Sequence, residues 1–138
     1  MLGRGLWLGV AALIGGAVPA AADKITLNVT FQNETGVQGS GTIDESAEDD
    51  DDNRLPTDVP GHTHVTAAPA YFNPNFFVPN AYFDVRLTLA DGRQCSARYV
   101  IYDNNCSRTG LSSRGSVVCD SASSWSGTTC GIAIKIDD

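Results

Sequence analysis

Apolar side chains recur at every second position in several stretches of this chain, and that spacing restricts these stretches to β-strands. Residues 24–32 read KITLNVTFQ, so an extended backbone would carry one apolar face and one polar face. The same alternation covers 81–90, 95–101 and 130–136, while 116–119 is short and β-branched. No window longer than a turn or two has helical periodicity. We therefore predict an all-β fold, a small antiparallel β-sandwich of the Ig-like or jelly-roll-like kind.

The connections between these strands are polar, acidic or rich in proline. The Asp-Gly pair at 91–92 joins two alternating runs and fits a tight type I′ turn, so a β-hairpin is expected there. Residues 33–53 are acid-rich, and 55–80 contain five prolines, which exclude helices and central strands. We predict a long acidic loop and a long proline-rich loop in these segments, and polar loops at 107–115 and 120–129.

The first 22 residues have the pattern of a secretory signal peptide. One cation, Arg4, precedes an apolar run that ends at Val18 and is followed by small residues. The run is shorter than the roughly 20 residues that span a bilayer. We predict that 1–22 is removed and that 23–138 forms a single domain. The expected location is secreted, either extracellular or in a periplasm or at the cell surface, without a later transmembrane segment.

The four cysteines of an exported chain predict two disulfides. Three pairings are possible. We favour Cys95–Cys130 together with Cys106–Cys119, because Cys95 and Cys130 both lie on the apolar faces of their predicted strands. The alternative, a four-thiolate zinc site, is disfavoured because no Cys-x-x-Cys spacing occurs.

Seven of the sixteen carboxylates lie in one run, DESAEDDDD, at 44–52. The formal net charge of −7 disfavours a nucleic acid as partner. Carboxylates at this density repel one another unless they are solvated or bind a cation, and oxygen ligands suit Ca²⁺. Asn33, Asn53 and Asp58 could add oxygens, and a solvated loop without metal is the alternative. The predicted calcium ligands are Asp44, Glu45, Glu48, Asp49, Asp50, Asp51 and Asp52.

His62 and His64 form the second candidate metal site. In an extended segment residues i and i+2 point the same way, so both imidazoles could bind Zn²⁺ or Cu²⁺. With Asp58 they would have the composition of a hydrolytic zinc site, which defines one alternative, a metal-dependent secreted enzyme or metal-binding protein. Otherwise they are two exposed loop histidines. No nucleophile elbow, H-E-x-x-H motif or phosphate loop occurs, so we predict no catalytic residue, no cofactor other than calcium, and a protein that is not an enzyme.

Residues 24–32 start almost at the predicted mature terminus, so this strand could leave its own sheet and pair with that of a neighbouring subunit. The sequence therefore predicts an exported structural or interaction protein, either a self-assembling surface or filament subunit or one that binds a surface partner. A further alternative is a carbohydrate-binding module with Trp125 and Tyr71 as stacking surfaces. The predicted interface residues are Ile25, Leu27, Val29, Phe31, Phe76 and Phe77.

Overall fold

The computed structural model describes residues 25–45, 55–72, 81–102 and 104–138. These residues form strands and turns and contain no helix, so the predicted all-β class is confirmed. The predicted signal peptide, 1–22, lies outside the described residues. The strands are β1 (Ile25–Asn33), β2 (Gly39–Glu45), β3 (Thr57–Val59), β4 (Thr63–Thr66), β5 (Ala70–Phe72), β6 (Ala81–Leu89), β7 (Gln94–Ile101), β8 (Cys106–Arg114), β9 (Val118–Ser126) and β10 (Thr129–Asp137).

Sheet I contains five strands in the order β8-β7-β6-β2-β3, and each strand is antiparallel to the strands beside it. The β6–β7 hairpin confirms the prediction made from its alternation, but its turn is not type I′. The Leu89 amide donates to the Arg93 carbonyl at 2.8 Å, and the Gly92 amide donates to the Leu89 carbonyl at 2.9 Å. Gly92 has φ +95°, whereas Asp91 is not in the left-handed region. The connection is therefore a three-residue loop that ends in a left-handed glycine.

Sheet II has the order β9-β10-β1-β4, and β5 also pairs with β1. Its central pair, β1 and β10, is parallel, which departs from the purely antiparallel arrangement that we predicted. The first and last described strands can run in the same direction because most of the chain separates them. β4 and β5 pair antiparallel with opposite ends of β1, and the Ala67 amide between them donates to the Val29 carbonyl.

A single apolar core is formed by the facing sides of the two sheets. The alternating positions that the sequence predicts to be inward, such as Leu27, Val29, Leu87 and Ile134, are essentially inaccessible to solvent. Phe83 and Tyr99 stack within this core with their ring centroids 5.9 Å apart. Burial of this alternating set is the main stabilisation of the two-layer arrangement, at about 25 cal/mol per Å² of apolar area.

Strands β2 and β8 and most of β9 occupy segments that we predicted to be loops, and those predictions were wrong. The start of β9, 118–119, overlaps the strand predicted at 116–119. In β2, two inward positions are Gly39 and Gly41, so no apolar alternation is visible there. A methyl group on Gly41 would lie 2.6 Å from the Phe31 ring, which explains the glycine. β8 and β9 are edge strands whose side chains are almost all exposed or half-buried, so they too lack an apolar signal.

The proline-rich segment contains β3, β4 and β5 within its described part. All three are three or four residues long, and they lie at sheet edges, in agreement with the prediction that proline excludes central strands.

The two disulfides join Cys95 to Cys119 and Cys106 to Cys130, with Cα–Cα distances of 5.5 and 5.8 Å. The pairing that we favoured from the sequence was wrong, because it treated the residues after Cys106 as a loop. They form β8, which runs back along β7 and leaves Cys95 and Cys106 at opposite ends of that pair. The β9–β10 pair separates Cys119 and Cys130 in the same way. Each disulfide therefore links sheet I to sheet II. The two links lie at opposite ends of the side on which β8 and β9 are the edge strands.

Candidate functional site

The N-terminal strand β1 is an internal strand of sheet II, between β10 and the β4–β5 edge. Its four apolar side chains, which we predicted as interface residues, are 0–9% exposed and fill the core of their own subunit. These residues, Ile25, Leu27, Val29 and Phe31, could contact a neighbour only if β1 moved to that subunit. The other two predicted interface residues, Phe76 and Phe77, lie outside the described residues.

A buried polar network, which the sequence analysis did not anticipate, follows β1. Asn33 and Thr35 are both 0% exposed. The Asn33 amide nitrogen donates to the carbonyls of Val37 and Val59, at 2.7 and 2.9 Å. Its amide oxygen accepts from the Thr35 amide and hydroxyl, at 3.0 and 2.7 Å. The Asn33 side chain is thereby occupied within the protein, so the suggestion that it ligates calcium was wrong.

The network could have been suspected from the sequence alone, because Asn and Thr two residues apart often form local side-chain-to-backbone bonds at strand ends. Its burial, however, depends on Val59 from β3, 26 residues further along the chain.

Of the seven predicted calcium ligands, only Asp44 has a described side chain. It lies on β2, where its carboxylate accepts a hydrogen bond from Arg86 of β6. Glu45 is the last residue of β2, and its side chain is outside the described set. Glu48, Asp49, Asp50, Asp51 and Asp52 lie outside the described residues. The calcium site therefore stays a prediction. The structure shows in addition that Asp44, the first of the predicted ligands, is paired with Arg86.

Asp44 belongs to a row of ion pairs across the outer face of sheet I, in which Arg86 contacts both Asp44 and Asp84, and Asp84 also contacts Arg98. Asp44 lies directly opposite Asp84 on β6, and Asp84 lies opposite Arg98 on β7. Arg98 donates two hydrogen bonds to Asp84, from Nε at 2.9 Å and from Nη2 at 3.0 Å. Arg86 lies 3.5 Å from the same carboxylate while it binds Asp44. Two arginines therefore separate and neutralise two carboxylates that would otherwise repel.

The hydrogen bond from Arg98 lowers the pKa of Asp84, assisted by the charges of both arginines and opposed by partial burial. The pKa of Arg98 is raised mainly by its hydrogen bonds to Asp84 and by the charge of that carboxylate. Tyr82 lies opposite Val100, so it is a diagonal neighbour of Arg98 across the β6–β7 pair.

The two histidines do not have the geometry that we predicted from an extended backbone. His62 has φ +59° and belongs to the turn before β4, so the i, i+2 rule does not apply to the pair. The His62 amide donates to the Thr35 carbonyl at 2.9 Å. His64 Nε2 hydrogen-bonds Glu34 Oε2 at 2.6 Å. Among the described residues no three His, Cys, Asp or Glu side chains come together as a metal site, and metal binding at His62 and His64 stays a prediction.

Trp125 and Tyr71, the predicted stacking residues, lie on opposite faces of sheet II. Trp125 pairs with the buried Cys130 and packs against the core, whereas Tyr71 pairs with Thr26 and is 45% exposed on the outer face. They cannot form one platform.

Two exposed tyrosines, one on β6 and one just after β7, lie at one end of sheet I, and this pair was not proposed from the sequence. Tyr82 is directly opposite Val100, and Tyr102 is two residues beyond Val100 on the same chain segment. The two are 43% and 59% exposed. Diagonal neighbours at this spacing are within reach of aromatic side chains.

A shallow cleft of about 360 Å³ adjoins this face and includes the Asp84–Arg98 pair. Its remaining walls come from Arg86 and Leu111 and from the small residues Ser96, Gly110 and Ser112. A methyl group added at Gly110 would meet nothing within 4 Å, so this side of the cleft is open. We call these residues the sheet I cleft.

The sequence matches no protein-family model and no curated protein. Within the described ranges, no helix has the length and apolarity needed to cross a membrane.

Proposed function

We propose that this chain is an exported, non-enzymatic structural or interaction protein, an Ig-like or jelly-roll-like sandwich that self-assembles by exchanging β1 between subunits. The calcium-binding acidic loop predicted at 44–52 is part of this proposal. The observation that carries it is the place of β1, which precedes every other described strand and is nevertheless internal to a sheet.

Exchange of β1 would be physically simple once the predicted signal peptide, 1–22, is removed, because every other described strand follows β1 in the chain. It joins β2 through residues 34–38, so it can leave without threading any loop. In the exchanged form, β1 of one subunit would make the same parallel ladder with β10 and bury the same side chains in its neighbour. The free energies of the closed and exchanged forms then differ mainly in the connection and in association, which is why swapping of identical elements is a low-cost route to assemblies.

The disulfides support this assignment because both join strands of the C-terminal half and leave β1 free of covalent links. They connect β7 to β9 and β8 to β10. The remainder of the sandwich would therefore stay cross-linked while β1 moves. The alternative that uses His62 and His64 as a metal site has no supporting contact among the described residues.

The proposal can be tested by trapping β1 where it lies. The Thr30 and Thr66 hydroxyls, on β1 and β4, are 2.9 Å apart, so Thr30→Cys/Thr66→Cys would place two thiols in contact. We expect the oxidised variant to form covalent multimers on non-reducing electrophoresis, because β1 from one subunit would pair with β4 of the next. Size-exclusion chromatography of the wild-type protein should show the corresponding assemblies.

Thr88→Cys/Gln94→Cys is the matched control. These residues face each other across the β6–β7 hairpin, with Gln94 Nε2 donating to the Thr88 hydroxyl at 2.8 Å, so their link lies within one subunit in either form. If the Thr30–Thr66 variant also gave only internally linked monomers at concentrations where the wild type assembles, β1 exchange would be excluded.

A further inference from the structure

The outer face of sheet I combines exposed aromatic rings with rigidly held hydrogen-bonding groups. Tyr82 and Tyr102 are exposed at one end of this face, and Arg98 is a diagonal neighbour of Tyr82 across the β6–β7 pair. The sheet I cleft begins at the same place, because Asp84 and Arg98 are its members. A flat ring that borders a row of fixed donors and acceptors suits a ligand with both an apolar face and many hydroxyl groups.

The charged groups on this face cancel one another. Asp44 and Asp84 balance Arg86 and Arg98, whereas the whole chain carries a net charge of −7. A local balance of this kind offers no net attraction to a polyanion or a polycation. It matches an uncharged ligand that makes many directional hydrogen bonds.

The ion pairs also hold their side chains in place for such a ligand. The Asp84 carboxylate accepts hydrogen bonds from Nε and Nη2 of Arg98. Within the described residues, Nη1 of that guanidinium can therefore donate to a ligand. The Asp84 carboxylate keeps unused lone pairs, since each oxygen accepts more than one hydrogen bond. Ser96 and Ser112, which face each other on β7 and β8, add hydroxyl groups without filling the cleft.

We propose that the sheet I cleft, with Tyr82 and Tyr102, binds an uncharged saccharide. The tyrosine rings stack on the C–H face of a sugar unit, while Asp84 and Arg98 hydrogen-bond to the hydroxyls of the next. The volume of about 360 Å³ is at the small end of ligand sites, which fits a short stretch of a polysaccharide running across an open face. This site is separate from β1 and does not rest on the assembly proposed above.

Affinity electrophoresis in native gels tests the site with defined probes. The gels would contain laminarin, xyloglucan, galactomannan or glycogen, and alginate would serve as a charged control. We expect at least one uncharged polysaccharide to retard the wild-type protein, and alginate to have no effect. Tyr82→Ala/Tyr102→Ala should weaken that retardation by about tenfold in apparent Kd, which corresponds to about 1.4 kcal/mol for the two rings together.

Two further variants keep the result interpretable. Tyr71→Ala removes a tyrosine of nearly equal exposure from the outer face of sheet II and should bind like the wild type. Ser112→Trp fills the cleft from the exposed edge strand β8 and should abolish retardation while leaving both tyrosines in place. Intact disulfides and an unchanged circular-dichroism spectrum would show that each variant is folded.

The proposal is overturned if none of the four uncharged polysaccharides retards the wild type, or if alginate retards it as strongly. It is also overturned if the double tyrosine variant binds normally, or if Tyr71→Ala loses binding to the same extent.

Discussion

Asp84 illustrates how one carboxylate can organise a surface. Its side chain is only 16% exposed, and it lies between Arg98 and Arg86 on the outer face of sheet I. Because hydrogen bonds from Arg98 lower its pKa, Asp84 is ionised throughout the physiological range and keeps both arginines in register. The same contact orders the groups that we assign to saccharide binding.

The lowered pKa of Asp84 predicts a pH-dependent contribution to stability. A carboxyl group whose folded pKa lies below its unfolded value of about 3.9 stabilises the fold above that pH. The contribution is lost as the pH falls through the folded pKa. We expect the difference in unfolding free energy between the wild type and Asp84→Asn to be largest near about pH 6 and to shrink below about pH 4. Urea unfolding at a series of pH values measures it.

Asp58→Asn is the control for this experiment, because Asp58 is an exposed carboxylate on the edge strand β3. Its effect should stay within about 0.5 kcal/mol at every pH. A wild-type minus Asp84→Asn difference that does not change between these pH values would contradict the assigned role of the Arg98 contact.

A buried hydrogen-bond network holds the C-terminal end of strand β1, and apolar packing holds the strand along its length. Asn33 ends the strand and fixes the connection to β2 through four hydrogen bonds to Thr35, Val37 and Val59. In the exchange that we propose, the same connection would have to rearrange, so Asn33 would also oppose it. The stability of this corner and the ease of the proposed assembly would therefore be linked.

Replacing Asn33 with alanine should destabilise the fold by about 2–4 kcal/mol, because buried partners of four hydrogen bonds would be left unsatisfied. Chemical unfolding measures the loss. Asn28→Ala, on the exposed face of the same strand, should cost less than about 0.5 kcal/mol. Equal effects of the two substitutions would show that the network does not stabilise the corner.

The two sheets are linked covalently along only one of their two sides, among the described residues. On one side the two sheets end in β8 and β9, which are joined by the two disulfides and by side-chain contacts such as the Arg108 hydrogen bond to the Ser121 carbonyl at 3.0 Å. On the other side, β3 and β4 follow one another closely along the chain. Both disulfides thus lie on the side where the edge strands β8 and β9 bury little apolar surface.

The two disulfides should contribute equally to stability in the chain-entropy account, because each has a sequence separation of 24. We expect Cys95→Ala/Cys119→Ala and Cys106→Ala/Cys130→Ala each to lose about 3 kcal/mol of unfolding free energy. Thermal and urea unfolding of the two variants provide the measurement. A loss below about 1 kcal/mol in either variant would mean that the sheets are held together on this side without that link.

The strands that alternate apolar and polar residues could be predicted from the sequence because burial on one face leaves a period of two in the chain. That rule located β1, the β6–β7 hairpin and β10, and the even number of cysteines predicted two disulfides. The rule could not locate β2, β8 or most of β9, because strands with glycine at inward positions, or with both faces near solvent, carry no such period.

The disulfide pairing, the parallel β1–β10 contact and the charge row on sheet I depend on which strands become neighbours. Packing between residues that are distant in the chain decides which strands are neighbours. The spacing of residues within one strand therefore does not predict them. Tyr82 and Arg98, for example, are 16 positions apart and become neighbours only because β6 and β7 pair in one register.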